Sequence, residues 1–259
     1  MPKFAANLSL MFTEVDFLDR FAPARAQGFE AVECQFPYAF EAAELADRLG
    51  RNSLQLVLHN LPAGNWAAGE RGLACDPARV AEFQAGVALA LDYAGKLGVR
   101  QLHCLAGIAP PQVAPLLAHT TYVANLRYAA GKLAPHGIDL LIEPLNTFDM
   151  PGYFLSGSAQ AGAIIAECGV SNLFMQYDLY HMQRMEGELA NTLRAHLPLI
   201  KHIQLADVPG RHEPGTGEID FPTLFKLIDA LGYDGWIGCE YIPAGDTVAG
   251  LGWRTMLSA

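Results

Sequence analysis

Residues 139–181 have the sequence DLLIEPLNTFDMPGYFLSGSAQAGAIIAECGVSNLFMQYDLYH. The stretch begins with a short apolar run, DLLIEPLN, continues through a helical segment, SAQAGAIIAECG, and ends in a second apolar run, LFMQYDLYH. Short strand-like runs that alternate with longer helical segments are typical of repeated βα units on a parallel sheet. The stretch therefore predicts two neighbouring parallel strands that are joined by a helix.

The same alternation extends along the chain in both directions. Six further strands are predicted, at residues 4–10, 31–36, 54–60, 100–107, 200–208 and 235–241. Helices are predicted at residues 16–28, 41–50, 80–98, 120–137, 187–197 and 221–232, whereas the tail after the last strand is too short and Gly-rich to predict a full helix. This order predicts a closed (β/α)8 TIM barrel, a fold of ~250 residues, as one domain over residues 1–259. The alternative is a doubly wound open sheet, but no glycine fingerprint follows the first predicted strand.

Composition narrows the expected partners and location. With a formal net charge of -10 the chain is not expected to bind nucleic acid, although a few cations can still attract a small anionic substrate. The N-terminal sequence lacks the pattern of a signal peptide, and no apolar run approaches the ~18 residues of a membrane span. The five cysteines, none in CxxC spacing, predict buried free thiols in a reducing compartment, so we expect a cytoplasmic protein without a membrane partner. Apolar residues on the helices are compatible with core packing or with a homo-oligomer.

Polar residues close the predicted strands at the end where a TIM barrel has its active site. They are Asn7, Glu33, His59, His103, Glu143, Asp178, Gln204 and Glu240. One such residue is often ordinary solvation of the barrel rim. A set of carboxylates, amides and imidazoles that converges on one mouth instead predicts a functional site.

Two kinds of chemistry suit this set. A hard divalent cation such as Mg²⁺ or Mn²⁺ prefers oxygen ligands, and four are available on Glu143, Asp178, Gln204 and Glu240. The neutral amide of Gln204 is the poorest of these ligands, which leaves the metal requirement open. Glu143 and Glu240 lie on separate strands and also suit proton transfer between adjacent carbons, provided that burial raises their pKa above ~4.3. The non-functional alternative is that these carboxylates only form hydrogen bonds at the barrel end.

Candidate substrate contacts lie at other strand ends and in the loops. His59 ends the third predicted strand and His181 follows the sixth, where an imidazole can polarise a substrate oxygen or simply pack against the rim. Arg211 lies in the Gly-rich loop VPGRHEPGTGEI, where a guanidinium can bind a carboxylate bidentately or remain solvated. Arg71 lies in the long loop after the third strand, whose length predicts a lid over the mouth.

Several longer motifs resemble those of the hydroxypyruvate isomerase family, one of the xylose isomerase-like TIM barrels. These motifs are FAANLSLMFTE, HNLPAGNWAAGERG, IEPLN, QYDLYHMQRMEGEL, HEPGTGEI and GWIGCEY, and the likeness extends over nearly the whole chain. The resemblance implies an enzyme that interconverts hydroxypyruvate and 2-hydroxy-3-oxopropanoate (tartronate semialdehyde), which are small anionic acids. It also implies that Glu143 and Glu240 form the acid–base pair.

The resemblance further implies which residues bind a metal and the substrate, and it leaves several alternative functions. Related ketose epimerases bind a metal and the substrate through residues that match Glu143, Asp178, Gln204 (normally His), Glu240, His181 and Arg211.

Alternative functions and mechanisms also remain. Isomerisation of 2-oxo-tetronates, the activity of a similar sister group, is the second-ranked function. A hydride shift is the alternative to proton transfer through an enediolate. Endonuclease IV shares the fold, but its zinc site needs more strand-end histidines and a DNA-binding surface. A barrel that only binds a small acid would need no paired carboxylates.

Overall fold

The computed structural model describes residues 2–256, which form a closed barrel of eight parallel strands that pair in chain order. The strands are β1 (Lys3–Asn7), β2 (Ala31–Cys34), β3 (Gln55–Asn60), β4 (Gln101–His103), β5 (Asp139–Ile142), β6 (Leu173–Asp178), β7 (Ile200–Leu205) and β8 (Trp236–Cys239). The first strand pairs with the second and with the eighth, which closes the ring. The (β/α)8 barrel is therefore confirmed, and the open sheet is excluded.

The helices surround the barrel. Within residues 2–256 they are α1 (Phe21–Ala26), α2 (Ala42–Asn52), α3 (Val80–Leu97), α4 (Pro115–Leu133), α5 (Ser158–Cys168), α6 (Leu179–Met185), α7 (Leu189–His196), α8 (Phe221–Ala230) and α9 (Trp253–Met256). Helix α4 begins before the predicted residue 120, because a proline is well tolerated in the first turn, where its missing N–H has no partner to lose. Strand β1 ends before the predicted residue 10, because the chain turns after Asn7, whose carbonyl accepts the N–H groups of Leu10 and Met11.

Helix α6 interrupts the sixth predicted strand and was not predicted as a separate element. The strand ends at Asp178, and Oδ1 of this residue accepts the N–H of Tyr180 at 2.8 Å. A carboxylate that accepts a free N–H of the first turn is a favourable N-cap. His181 therefore lies in the first turn of a helix, with a fixed orientation relative to Asp178.

The barrel interior changes from apolar to polar towards the carboxyl ends of the strands. A small buried cluster, separate from the main core, contains Ala5, Ala31, Val57, Leu58 and Leu141. Alternate residues of a strand share a face, so each of these residues lies on the same side as the polar residue two positions further on, which is Asn7, Glu33, His59, Asn60 or Glu143. The polar residues of the mouth thus rest on an apolar base.

A buried hydrogen-bond network centred on Glu33 lies at the polar end of the barrel interior. Glu33 accepts hydrogen bonds from Gln204 (2.7 Å) and Asn7 (2.9 Å) and pairs with His202 (2.6 Å). All of these side chains are at most 1% exposed. Gly238 on β8 leaves the space for the Glu33 carboxylate, because a Cβ on this glycine would collide with both carboxylate oxygens.

The structure also bears on the cysteines and on membrane spans. All five cysteines are free and buried, as their composition predicted. Within residues 2–256 no helix combines the length and the apolar character that crossing a bilayer requires.

Candidate active site

A cavity of about 190 Å³ opens where the carboxyl ends of the strands meet. It is lined by Leu10, Gln35, Asn60, Trp66, His103, Leu105, Glu143, Leu145, Met150, His181, Arg211, Glu240 and Ile242. Six of these thirteen residues are aliphatic or aromatic, and the other seven are polar or charged. A small cavity on which several polar and ionisable side chains converge is a candidate small-molecule site.

Four ionisable side chains converge beside this cavity. Ligand atoms of Glu143, Asp178, His181 and Glu240 all lie within 4.8 Å of one another, and the four residues are buried. Glu143 and Glu240 directly follow β5 and β8, while Asp178 ends β6. The barrel topology thus brings together residues that are almost 100 positions apart, as the strand-end pattern predicted.

Arg211 supplies the positive charge in this group. Its Nη2 donates to Oε2 of Glu240 at 2.6 Å and lies 3.9 Å from Oδ2 of Asp178. The guanidinium also lies over the ring of Tyr180, 5.2 Å from its centroid. Its Nε is buried and has no hydrogen-bond partner among the described residues. Arg211 is therefore an internal residue of the site, not a solvated loop residue.

Burial raises the pKa of all three carboxyls. For Glu143 the pKa lies well above its usual value, and the neighbouring charges of Glu240 and Asp178 add to the effect of burial. The pKa of Asp178 and that of Glu240 are also raised by burial, although the Arg211 cation opposes the rise at both groups. A raised carboxyl pKa is what general acid–base catalysis near neutral pH requires.

Hydrogen bonds assign the proton of His181. Its Nδ1 accepts the backbone N–H of Asn146 at 3.1 Å and the side-chain amide of the same residue at 2.7 Å. Burial lowers the pKa of His181 well below its usual value, so the ring is neutral. A neutral imidazole whose Nδ1 accepts must have its proton on Nε2. This N–H is 3.7 Å from Asp178, beyond hydrogen-bond distance, and remains available to a ligand.

Glu143 has fewer partners than Glu240. Its Oε1 is buried without a hydrogen bond among the described residues, and its Oε2 is 3.5 Å from Nε2 of His103. Nδ1 of His103 lies 3.1 Å from the side-chain oxygen of Asn60, which can only accept, so the proton of this ring is on Nδ1. The free Nε2 can then accept a hydrogen bond from a protonated Glu143. Glu240, in contrast, accepts from Asn7, Gln35 and Arg211.

The carboxylate oxygens of the site are potential ligands of a divalent cation. Buried oxygens of Glu143 and Asp178 have no hydrogen-bond partner among the described residues, which suits a cation that they would share. His181 offers no lone pair on Nε2 in the tautomer above. Gln204 already accepts from Gln176 at 2.6 Å and donates to Glu33 at 2.7 Å. The buried acidic group could therefore hold a metal ion mainly through its carboxylates.

Two residues predicted to contact the substrate are not brought into the cavity. His59 is fully buried beside Tyr38, and the neighbouring Asn60 lines the cavity instead. Arg71 donates to the carbonyls of Trp66 and Glu70, and its guanidinium lies 4.2 Å from the centroid of the Trp66 ring. Arg71 thus stabilises the long loop, while Trp66 from the same loop reaches the cavity.

Three polar residues of the site were missed from the sequence. Gln35 follows Glu33 by two residues and donates to Glu240 at 3.1 Å. Asn146 follows Glu143 by three residues and orients His181. Asn60 ends β3 and contacts His103. Each lies within three residues of a predicted strand-end residue, so the end of each apolar run was the available signal.

The chain is similar to known proteins in both sequence and fold. The sequence model of the xylose isomerase-like TIM barrel family matches residues 21–255. Hydroxypyruvate isomerase of Escherichia coli (strain K12) is 53% identical over 253 residues, covering 98% of this chain and 98% of that protein. 2-Oxo-tetronate isomerase of Cupriavidus necator is 52% identical over 253 residues, covering 98% and 97%. A crystal structure of AP endonuclease, family 2, from Brucella melitensis has a TM-score of 0.97 and 46% identity, and covers 99% of each chain.

Proposed function

The chain belongs to the xylose isomerase-like TIM barrel family, and we propose that it interconverts hydroxypyruvate and tartronate semialdehyde. The observation that carries the proposal is a pair of buried glutamates, Glu143 and Glu240, that line one small cavity beside a single Arg. The relative named hydroxypyruvate isomerase, 53% identical over nearly the full chain, supports the same reaction.

The proposed reaction moves one proton between adjacent carbons. A glutamate removes a proton from C3 of hydroxypyruvate, and the electron pair of that C–H bond forms a C2=C3 double bond while the carbonyl electrons move to O2. A glutamic acid then gives a proton to C2, the hydroxyl on C3 loses its proton as the aldehyde forms, and O2 takes up a proton to become the hydroxyl on C2. No atoms are gained or lost, so the step needs a base, an acid and groups that stabilise the enediolate.

The two glutamates suit different roles. Glu240 accepts a hydrogen bond from the Arg211 cation, which favours its ionised form, so we assign it as the base. Glu143 has no cation in direct contact and a pKa well above its usual value because of burial, so we assign it as the acid. In the reverse direction the two residues exchange these roles.

Two other residues are assigned to the substrate. The Nε2–H of His181 would donate to O2, where negative charge develops in the enediolate. The unpartnered Nε of Arg211 would donate to the substrate carboxylate, since Arg211 is the sole Lys or Arg among the described residues that line the cavity.

A divalent cation such as Mg²⁺ or Mn²⁺ fits the carboxylate group, and we propose Glu143, Asp178 and Glu240 as its ligands. The amide of Gln204, the fourth ligand expected from the sequence, is instead hydrogen-bonded to Gln176 and Glu33. When bound, such an ion would polarise the C2 carbonyl and offset the charge of the enediolate. The neutral Gln204 amide and the nearby Arg211 cation both lower the electrostatic attraction for that ion. The proton transfers assigned to Glu143 and Glu240 do not depend on it.

Isomerisation of 2-oxo-tetronates is the second candidate, because a relative with that name is 52% identical over nearly the full chain. The chemistry at the carboxylates would be the same, with one more hydroxylated carbon in the substrate. Nuclease activity is less compatible with the site, because a chain with a net charge of -10 and one Arg in the cavity lacks the cations that bind DNA phosphates.

One assay tests the proposal. Purified protein is mixed with hydroxypyruvate or with 2-oxo-tetronates, before and after treatment with a chelator, and the products are identified by NMR. Faster turnover of hydroxypyruvate supports the proposal, while faster turnover of the four-carbon acid favours the second candidate. Loss of turnover after chelation, with recovery on addition of Mg²⁺ or Mn²⁺, would establish a metal requirement. If neither acid is isomerised by the folded protein, the proposed function is wrong.

A further inference from the structure

We propose that Asp207 is a positioning residue that holds Arg211 in the cavity by organising the loop at residues 208–219. Asp207 lies two residues after the end of β7, and it is fully buried. It makes no contact with the cavity, so any effect on catalysis must pass through the loop. The kinetic part of this inference rests on the proposed function, whereas its structural part does not.

One carboxylate binds both ends of the loop. Oδ1 of Asp207 accepts the backbone N–H groups of Val208 (2.9 Å) and Ile219 (3.1 Å). Oδ2 accepts those of Gly215 (2.9 Å) and Gly217 (2.8 Å). A carboxylate has about four lone-pair sites, and all four are used here by main-chain donors. The loop therefore closes around a single buried acceptor group.

The backbone of Asp207 continues this arrangement to Arg211. The N–H of Arg211 donates to the carbonyl of Asp207 at 2.9 Å, and the N–H of Asp207 donates to the carbonyl of His212 at 2.8 Å. The carbonyl of Arg211 accepts the N–H of Ile242 at 2.9 Å, which connects the loop to the segment that follows β8. Three backbone hydrogen bonds thus surround the residue that supplies the guanidinium.

Arg211 needs this support because its backbone is strained. It has φ of 55°, in the left-handed region that residues other than glycine seldom occupy. Such a conformation persists when the surrounding structure determines it, and it is common at functional sites. Here it directs the side chain to Glu240, at 2.6 Å. If the loop relaxed, the guanidinium would lose this position.

The packing inside the loop leaves no simple alternative arrangement. A Cβ on Gly217 would collide with the carbonyl oxygen of Val208 and lie 2.7 Å from Oδ1 of Asp207. An asparagine at position 207 would keep the size of the side chain but would direct an NH2 group at main-chain N–H groups. Asp207→Asn therefore removes two acceptor contacts with little change of volume.

A double-mutant cycle tests whether Asp207 acts through Arg211. We expect Asp207→Asn to lower kcat/KM by about 10²-fold, the loss typical of a misplaced catalytic contact. In the Arg211→Met background the same substitution should change kcat/KM less than about threefold, because the group that it positions is absent. An equal loss in both backgrounds, or no loss in the first, would overturn the proposal.

Trypsin gives a readout that does not require activity. The bond after Arg211 should be cleaved slowly in the wild type and at least about tenfold faster in Asp207→Asn, as detected by mass spectrometry, because the loop opens locally. Asp220→Asn is the matched control, since Asp220 is exposed and caps α8 at the far end of the loop. Equal cleavage rates in wild type and Asp207→Asn would contradict the positioning role even if the protein proved not to be an isomerase.

A second variant covers the case in which Asp207→Asn does not fold, as judged by circular dichroism. Gly215 has φ of 90°, and a Cβ there would meet open space, so Gly215→Ala strains the loop without a collision. Like Asp207→Asn, it should lower kcat/KM in the wild-type background much more than in the Arg211→Met background. It should also speed trypsin cleavage after Arg211. Wild-type behaviour of a folded Gly215→Ala protein in both assays would then overturn the proposal.

Discussion

Arg211 donates a 2.6 Å hydrogen bond to Oε2 of Glu240, whereas Oε1 of Glu143 is buried without a partner among the described residues. The two glutamates therefore differ in their electrostatic surroundings although both line one cavity. A cation in direct contact favours an ionised carboxylate, and burial without one favours a protonated carboxyl. This difference, more than the presence of two carboxylates, supports separate roles as base and acid.

Replacing either glutamate by glutamine should remove most of the activity. We expect Glu143→Gln and Glu240→Gln each to lower kcat about 10²–10⁴-fold, equivalent to ~3–5 kcal/mol, the usual contribution of a general acid or base. Thermal melting at pH 8 provides the control. Glu143→Gln should melt no lower than the wild type, because burial already favours the neutral carboxyl and the neutral amide has a similar size. Near-normal turnover in either folded variant would show that the acid–base assignment is wrong.

Solvent deuterium should enter the product. A proton held by a glutamic acid exchanges with D₂O before it returns to carbon, so the reaction in D₂O should give product labelled at C2. A hydride shift carries the original hydrogen directly between the carbons and gives no label. Mass spectrometry of product collected at low conversion separates these results, and an unlabelled product would favour the hydride shift.

The His181 ring should stay neutral, with its proton on Nε2, throughout the range pH 5–8. Burial and the nearby Arg211 and Arg184 cations lower its pKa well below the usual value, and Asn146 occupies Nδ1. Long-range ¹H–¹⁵N NMR measures the tautomer, and the signals can be assigned by their absence from His181→Asn. A proton on Nδ1, or a ring that becomes charged within this range, would be inconsistent with His181 as a donor to O2.

His59 should make the protein less stable in acid. Burial lowers its pKa from 6.5 to about 4, so below pH 6.5 the unfolded chain takes up a proton that the folded chain does not. The stabilising contribution is complete above pH 6.5 and is lost as the pH falls towards 4. Linkage gives a decrease of ~2 kcal/mol between pH 7.5 and pH 5.

Urea unfolding at these two pH values measures the decrease. His59→Gln should show a smaller loss of stability on acidification than the wild type, by that amount. His136→Gln is the matched control, because it removes an imidazole from an exposed position. If His59→Gln and wild type lose the same free energy, His59 is not the buried neutral histidine described above.

The barrel and its acidic strand ends could be predicted because they depend on local patterns. Apolar runs mark the strands, and Glu143, Asp178 and Glu240 follow or close three of them. The closed topology then brings these ends together whatever the details of the helices. The proposed acid–base pair therefore needed only the order of elements along the chain.

The positions that could not be predicted depend on single-residue register and on loop shape. The pairing of β2 with β3 shifts register between Val32 and Glu33. A shift of one residue exchanges the two faces of a strand, so sequence alone could not decide whether His59 or Asn60 lines the cavity. Arg71 and Arg211 both lie in Gly-containing loops. The contacts within each loop direct Arg211 into the cavity and Arg71 onto Trp66, and these contacts cannot be read from the sequence.

Glu33 on β2 occupies the space that Gly238 leaves on β8, two strands away around the ring, and this has an evolutionary consequence. A larger residue at position 238 would require a shorter one at position 33, which in turn would leave His202, Gln204 and Asn7 without their common acceptor. Substitutions at these positions are therefore not independent. Among related barrels we expect the glutamate and the glycine to be inherited together and lost together.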